Sequence, residues 1–363
     1  MSLYYPKHKN KLVALFDRIV LWQTSRFFAF LIAAFLSFPK KYRMSHDNGI
    51  AGLGDLKIVD NPEFPEHDFF KAGRKFPIRI RHATATFLDD AVNDIRAISI
   101  KFSHHHFKSP FDMELNTGVF SLFWSARSFL MFAKTRKEKW AVCYVDYIRK
   151  YPEGAIGAID SLRRAPDSFS HLKYYGQTPY LFKGTDGIQR FAKYRVIPAT
   201  PIDEPGLQTN PCDYELSNQR VAPHENKGRN YLKYEFEERV KQGNAKYKLQ
   251  IQLLTASDDQ SPEVFNNMIV WDERIHPWMD LADFEVTETL SWEESIISTF
   301  SVNNMPKSLG VIPAVSIYDY NSLNYMRAHS EIARKARLLS LKLFGMVKPI
   351  PDNDNRNNEF WGK

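Results

Sequence analysis

Cysteine is nearly absent: Cys143 and Cys212 are the two in 363 residues. They stand too far apart for a CxxC pair or a zinc ligand set, and two cannot build a disulfide framework. A reducing compartment is the simplest setting. A membrane-spanning helix needs about 20 apolar residues, and the strongest candidate, Phe27 to Phe38, is hemmed in by Arg26, Lys40 and Lys41. No GxGxxG loop, Walker loop, HExxH helix or nucleophile elbow is present, which removes the common nucleotide-binding, zinc-protease and serine-hydrolase signatures. Acidic residues are missing from the first 43 positions except for Asp17, against Lys7, Lys9, Lys11, Arg18, Arg26, Lys40, Lys41 and Arg43. The whole formal charge of +7 therefore resides in that arm, and the rest of the chain is balanced. Apolar residues at 44% and charged residues at 25% are ordinary values for a folded body with a sizeable core. Aromatics are plentiful at 14%, which suits a core that encloses something large and flat and equally suits a plain aromatic core.

Within residues 1–43, Leu12 to Trp22 carries apolar residues at helical spacing, and the run to Phe38 ends at Pro39. Polybasic residues beside an anionic surface contribute roughly 1 kcal/mol each, and an apolar helical face adds burial. The arm is therefore expected to lie on a membrane surface or to pack on the body. A signal peptide fits poorly, because no small-residue cleavage site follows and cations continue past the run. Nucleic acid is not the expected partner, since the interleaved residues are aliphatic rather than polar. The corresponding location is cytoplasmic and peripherally membrane-associated.

The remainder reads as one domain over residues 44–345, followed by a polar tail at 346–363. Leu53 to Val59, Phe76 to Thr86, Ala97 to Phe102 and Phe111 to Leu115 read as strands, with Ile98, Ile100 and Phe102 alternating against Ser99 and Lys101. Ser121 to Lys134, Trp140 to Tyr151 and Ala155 to Arg164 have helical spacing. A second set of strands is expected at Arg190 to Ile197, Tyr247 to Leu254, Asn267 to Trp271 and Phe284 to Leu290, with helices at Tyr231 to Gln242 and Tyr325 to Phe344. Four strands and four more, separated by polar insertions, predict an α+β fold built on one antiparallel barrel.

Taken from the residues alone, His46 is the most interesting histidine. It follows Ser45, whose hydroxyl can orient it, and it precedes a glycine-bearing turn into a strand, so it is a candidate general base or else a surface histidine. The tripeptide His104, His105, His106 suggests a metal site, but adjacent strand residues point to opposite faces and cannot converge on one ion. Asn116 and Thr117 before Gly118 mark a turn.

Together, Arg43-Met-Ser-His46 with Gly49 to Val59, Asn61 to Phe70, Phe76 to His82, Asp94 to Phe102, Met113 to Gly118, Leu162 to Phe169, Tyr247 to Gln252, Trp271 with His276 to Trp278, and Asp319 to Ser322 resemble the catalase-related haem proteins. The likeness is in particular to the coral-type allene oxide synthases and fatty-acid hydroperoxide lyases, and it runs in order from about residue 40 to 345. It implies a catalase-like barrel of eight antiparallel strands with surrounding helices, a haem b cofactor with ferric iron, and a fatty-acid hydroperoxide substrate supplied by a lipoxygenase. His46 falls on the distal histidine, Ser45 on its hydroxyl neighbour and Asn116 on the distal asparagine. Arg43 and Arg81 fall on propionate-binding arginines, Arg327 on the arginine behind the proximal ligand, and Phe123 with Trp124 on the cavity wall.

One position departs from the pattern. The family's iron ligand is a tyrosine four residues after that arginine, and here the position holds Glu331. Glu331 ligates the metal as an anionic oxygen donor, or the helix shifts so that another residue does, or haem is gone and Arg327 with Glu331 is an i,i+4 ion pair worth a few tenths of a kcal/mol. Three functions follow: turnover of lipid hydroperoxides, removal of hydrogen peroxide in the same pocket, and haem-free lipid binding by a relative that keeps the barrel.

Overall fold

The computed structural model describes residue 43 and residues 45–85, 89–138, 143–217, 219–220, 226–257 and 261–329, together with Leu12, Leu15, Phe16, Ile19, Val20, Leu21 and Gln23 of the arm. Its centre is a closed antiparallel barrel. Strands β1 (Gly49–Ile58), β2 (Lys75–Thr84), β3 (Asp94–Lys101) and β4 (Asp112–Thr117) form one half; β6 (Tyr174–Lys183), β7 (Gln189–Pro198), β8 (Lys246–Thr255) and β9 (Met279–Thr289) form the other. The halves join where β1 pairs with β9 and β4 with β6, and pairing of β6 with β7 completes the circuit. Closure leaves the eight strands without a free edge. Two short strands lie outside it: β5 (Leu162–Arg163) pairs with β3, and β10 (Leu309–Val311) pairs with β6.

Strand alternation sorts the side chains. Ile78, Ile80, Ile98 and Ile100 are fully buried in the main core, whereas their neighbours Arg79, Arg81, Ser99 and Lys101 face outward, where residues 292–304 cover the wall. At β1, the register against β9 shifts between Leu53 and Gly54. A Cβ on Gly54 would come within 1.9 Å of the Glu285 carbonyl oxygen, so the bulge requires glycine there.

The strand count agrees with the sequence reading, but one member differs. Asn267 to Trp271 is not a strand; it crosses the outside of the barrel, with Ile269 and Val270 exposed and Trp271 donating to the Val264 carbonyl at 3.1 Å. The eighth strand is β6, whose Gly176 and Pro179 argue against extended pairing. The structure accommodates them in an irregularity of the β6–β7 register between Gly176 and Tyr180. The helix expected from Ser121 begins at Ala126 and runs to Glu138; the one expected to Arg164 ends at Ser161 and gives way to β5. The helix expected at Tyr325 to Phe344 starts at residue 322 and is described to 329; the remainder of the expected span, Glu331 and the tail lie outside the described residues.

The arm meets the body through Leu21, which is buried against Ala126, Ala314, Ile317 and Met326. Among the described residues no helix is long and apolar enough to cross a membrane.

Candidate functional site

His46 sits just before β1 with a left-handed backbone, φ 59°, which a non-glycine residue adopts only when its surroundings hold it there. Those surroundings are specific. Its amide donates to the Ala85 carbonyl at 2.8 Å. Arg81, facing outward from β2, donates to the His46 carbonyl at 2.8 Å, the Asp47 carbonyl at 3.1 Å and the Ser295 carbonyl at 3.0 Å. Arg43 reaches the Ile296 carbonyl at 2.6 Å and that of Ser298, while its own amide donates to Asp47 Oδ1 at 2.9 Å. Both arginines therefore brace the turn that carries His46.

The imidazole is placed by Ser45, whose Oγ lies 2.9 Å from Nδ1. Its Nε2 is buried and has no protein partner. Burial, with Arg81, Arg136, Arg43 and Arg327 nearby, pushes the ring pKa down to about 3, so it is neutral.

Asn116 lies on β4, and Gly118, at φ +92° against Ser161, turns the chain away from the strand end. Asn116, Phe123 and Arg327 come together at one pocket between the β4–β6 wall and helix 322–329, whose lining does not include His46. Phe123 also belongs to an aromatic cluster, edge-on to Phe129 at 5.1 Å and Tyr147 at 6.0 Å. Trp124 packs against Tyr151 instead and does not line the pocket. The tripeptide is structural: His104 Nε2 lies 3.1 Å from the Gly54 carbonyl, and His105 Nδ1 accepts from the amides of Phe107 and Lys108. Among the described residues no group of side chains is arranged to hold a metal ion.

Two pocket residues escape the sequence reading. Glu114, two positions before Asn116 on the same face of β4, forms an ion pair with Arg327 across the pocket. Asn267 is buried with Oδ1 unpartnered, in the segment read as a strand. A buried neutral imidazole with an orphan nitrogen, and a pocket lined by an asparagine, an aromatic ring and an arginine, are each groups that suit a flat cofactor that carries a peroxide. The residues present fit haem, and the Glu114–Arg327 pair is the feature a macrocycle would have to displace.

No family model matches the chain. It is 38% identical over 294 residues to the allene oxide synthase-lipoxygenase protein of Plexaura homomalla, an alignment that takes in 78% of this chain and 27% of that protein. With the linolenate 9R-lipoxygenase of a Nostoc species it shares 28% over 251 residues, 66% of this chain and 31% of the relative. The chain thus spans less than a third of the length of either. Catalase A from Saccharomyces cerevisiae superposes with a TM-score of 0.65 at 15% identity, over 88% of this chain and 68% of that one. A bacterial catalase gives 0.63 at 15% identity, over 85% and 60%. The barrel is the catalase fold.

Proposed function

We propose, from the chain's likeness to the allene oxide synthase-lipoxygenase protein and from its catalase fold, that it is a haem enzyme that converts fatty-acid hydroperoxides to an epoxide, an allene oxide or cleavage products. The observation that carries this reading is the buried, partnerless Nε2 of a neutral His46 whose other nitrogen is tied to Ser45. Ferric haem, when bound, supplies scission of the O–O bond. Arg327 and Phe123 are the residues placed to hold it, with Glu331 as the proposed iron ligand, while Arg43 and Arg81 hold the turn.

His46 and Asn116 orient the hydroperoxide. With Nδ1 donating to Ser45 Oγ, Nε2 presents a lone pair to the hydroperoxide O–H, and the Asn116 amide offers a second polar contact. A ring with a pKa near 3 resists taking a full proton at neutral pH. A relative whose name joins allene oxide synthase to lipoxygenase supports a lipoxygenase as the source of substrate.

In hemin-loaded protein, His46→Ala should lower kcat/KM for a polyunsaturated fatty-acid hydroperoxide by about 100-fold or more, followed as loss of the conjugated-diene absorbance. Unchanged turnover would remove His46 from the site. Oxygen evolution from hydrogen peroxide outpacing hydroperoxide loss would select the catalase reading instead.

The membrane as partner rests on the arm. Leu12, Leu15, Phe16 and Ile19, spaced i, i+3, i+4 and i+7, are 76%, 57%, 65% and 51% exposed, while Leu21 is buried on the body. This places an apolar stripe outward on the segment that carries the chain's net positive charge. Leu15→Glu with Phe16→Glu should abolish sedimentation with phosphatidylserine vesicles without changing the melting temperature. Retained binding would leave the stripe without that role.

A further inference from the structure

The pocket that holds Asn116 is also lined by the uncharged polar side chains of Ser121, Gln177, Thr178 and Asn267. Gln177 donates from Nε2 to the Gly118 and Phe120 carbonyls at 2.9 and 3.1 Å, and Ser121 Oγ accepts from the Phe123 amide at 3.1 Å. Asn267 differs. It is 2% exposed, its Oδ1 meets no partner among the described residues, and its Nδ2 lies 3.5 Å from Thr178 Oγ1, longer than an ordinary hydrogen bond. A buried acceptor in that state costs free energy that a bound donor would return. The backbone behind it is fixed, because the Asn267 carbonyl accepts from the Ser121 amide at 3.0 Å and Lys193 Nζ donates to the Ile269 carbonyl at 3.1 Å. Thr178, by contrast, lies in the stretch between Gly176 and Tyr180 that the β6–β7 ladder skips, so it can part from the amide when a ligand arrives.

We propose that Asn267 reads a hydroxyl group: it hydrogen-bonds an O–H on the acyl ligand that enters the pocket, and so selects hydroxylated lipids over unsubstituted fatty acids. This rests on the fatty-acid reading above, and not on haem. A hydroxyl suits the amide in either orientation, because it can donate to Oδ1 or accept from Nδ2. A carboxylate has only acceptors and would face Oδ1 with like charge. His46 takes the proton of the hydroperoxide, so the O–H read by Asn267 is a second one, carried on the chain or on a glycerol headgroup. Discrimination follows from burial, since a ligand without the hydroxyl leaves the amide unpaired in a place that water does not reach.

The experiment measures three ligands on the purified full chain and on Asn267→Leu: linoleic acid, a hydroxylated linoleic acid and monolinoleoylglycerol, each by displacement of a dansyl-labelled fatty acid. Melting curves confirm folding, and Asn267→Ala serves in the same way should the leucine variant fail to fold. The unmodified chain should bind at least one hydroxylated ligand about ten-fold or more tightly than linoleic acid, on the order of one buried hydrogen bond. Asn267→Leu should abolish that preference while leaving linoleic acid bound at least as well. Which ligand shows the preference distinguishes a chain hydroxyl from a headgroup hydroxyl. A parent that binds all three alike, or a preference that survives in the variants, overturns the role of Asn267 and leaves the fatty-acid reading standing. Failure of the folded parent to bind any of the three overturns both together.

Discussion

Acidifying the haem-free protein from pH 7 should cost it between about 1.4 and 4 kcal/mol of stability per pH unit below 6.5, measured as the urea midpoint against pH. Three histidines drive this. His46 and His82 are held down to about 3 and His67 to about 4, in each case chiefly by burial. His82 stacks face to face on Phe169 at 5.0 Å, with its nitrogens near the hydroxyls of Tyr247 at 2.9 Å and Tyr174 at 3.3 Å. His67 accepts the amides of Phe69 and Phe70 at Nδ1, both at 3.2 Å, and stacks on Phe182 at 4.5 Å. A proton on that nitrogen would abolish both accepted bonds.

The sign follows from the depressed values. Below 6.5 the unfolded chain takes up protons that the folded protein refuses, so the stability is fully present above 6.5 and drains away as the pH falls toward 3. Asp90 and Asp112 act in the opposite sense, because burial raises their pKa and the folded protein accepts a proton there more readily than the unfolded chain. Full opposition by both leaves about one histidine uncompensated and no opposition leaves three, which sets the range. A urea midpoint that stays flat down to pH 5 would show that the three rings are not held neutral.

Much of the barrel is legible in the sequence because one face of each strand is apolar. Ile98 and Ile100 alternate with Ser99 and Lys101, and the structure buries the first pair in the barrel and turns the second outward. Where alternation fails, so does the reading. Gly176 and Pro179 disguise β6, while Asn267 to Trp271 imitates a strand although Ile269 and Val270 are exposed and Trp271 joins an apolar cluster with Phe191 and Leu254. The site divides in the same way. Ser45, His46 and Asn116 are visible as local motifs. Glu114 is not, because its meaning lies in Arg327, far along the chain and brought opposite only by packing of helix 322–329 on the barrel wall. Arg81 is visible as a candidate, but three backbone carbonyls fix its task, and no spacing rule reveals which carbonyls will face it.

Asp112→Ala should destabilise the protein by about 3 to 5 kcal/mol, on the order of a 10 °C fall in melting temperature. Lys101 and Asp112 form an ion pair with both side chains fully buried. The carboxylate also accepts from the Ser301 amide at 2.9 Å and the Asn304 side chain at 2.8 Å, so it ties β3 and β4 to the covering segment. Lys101 also meets the Phe107 carbonyl at 3.4 Å and the Phe300 ring at 5.5 Å. Removing Asp112 takes from a fully buried ammonium ion the carboxylate that meets it at 2.7 Å, and the penalty for that less compensated charge, rather than the lost attraction, is the larger part of the cost. The raised pKa of Asp112 points the same way: desolvation outweighs the help from Lys101, so the pair as a whole adds little net stability. Lys101→Met combined with Asp112→Asn removes both charges while keeping an acceptor for Ser301 or Asn304. That double variant should be more stable than Asp112→Ala alone, although it changes more residues. If it melts lower than the single variant, the attraction between the charges, and not the penalty for leaving one of them alone, is what the buried pair contributes.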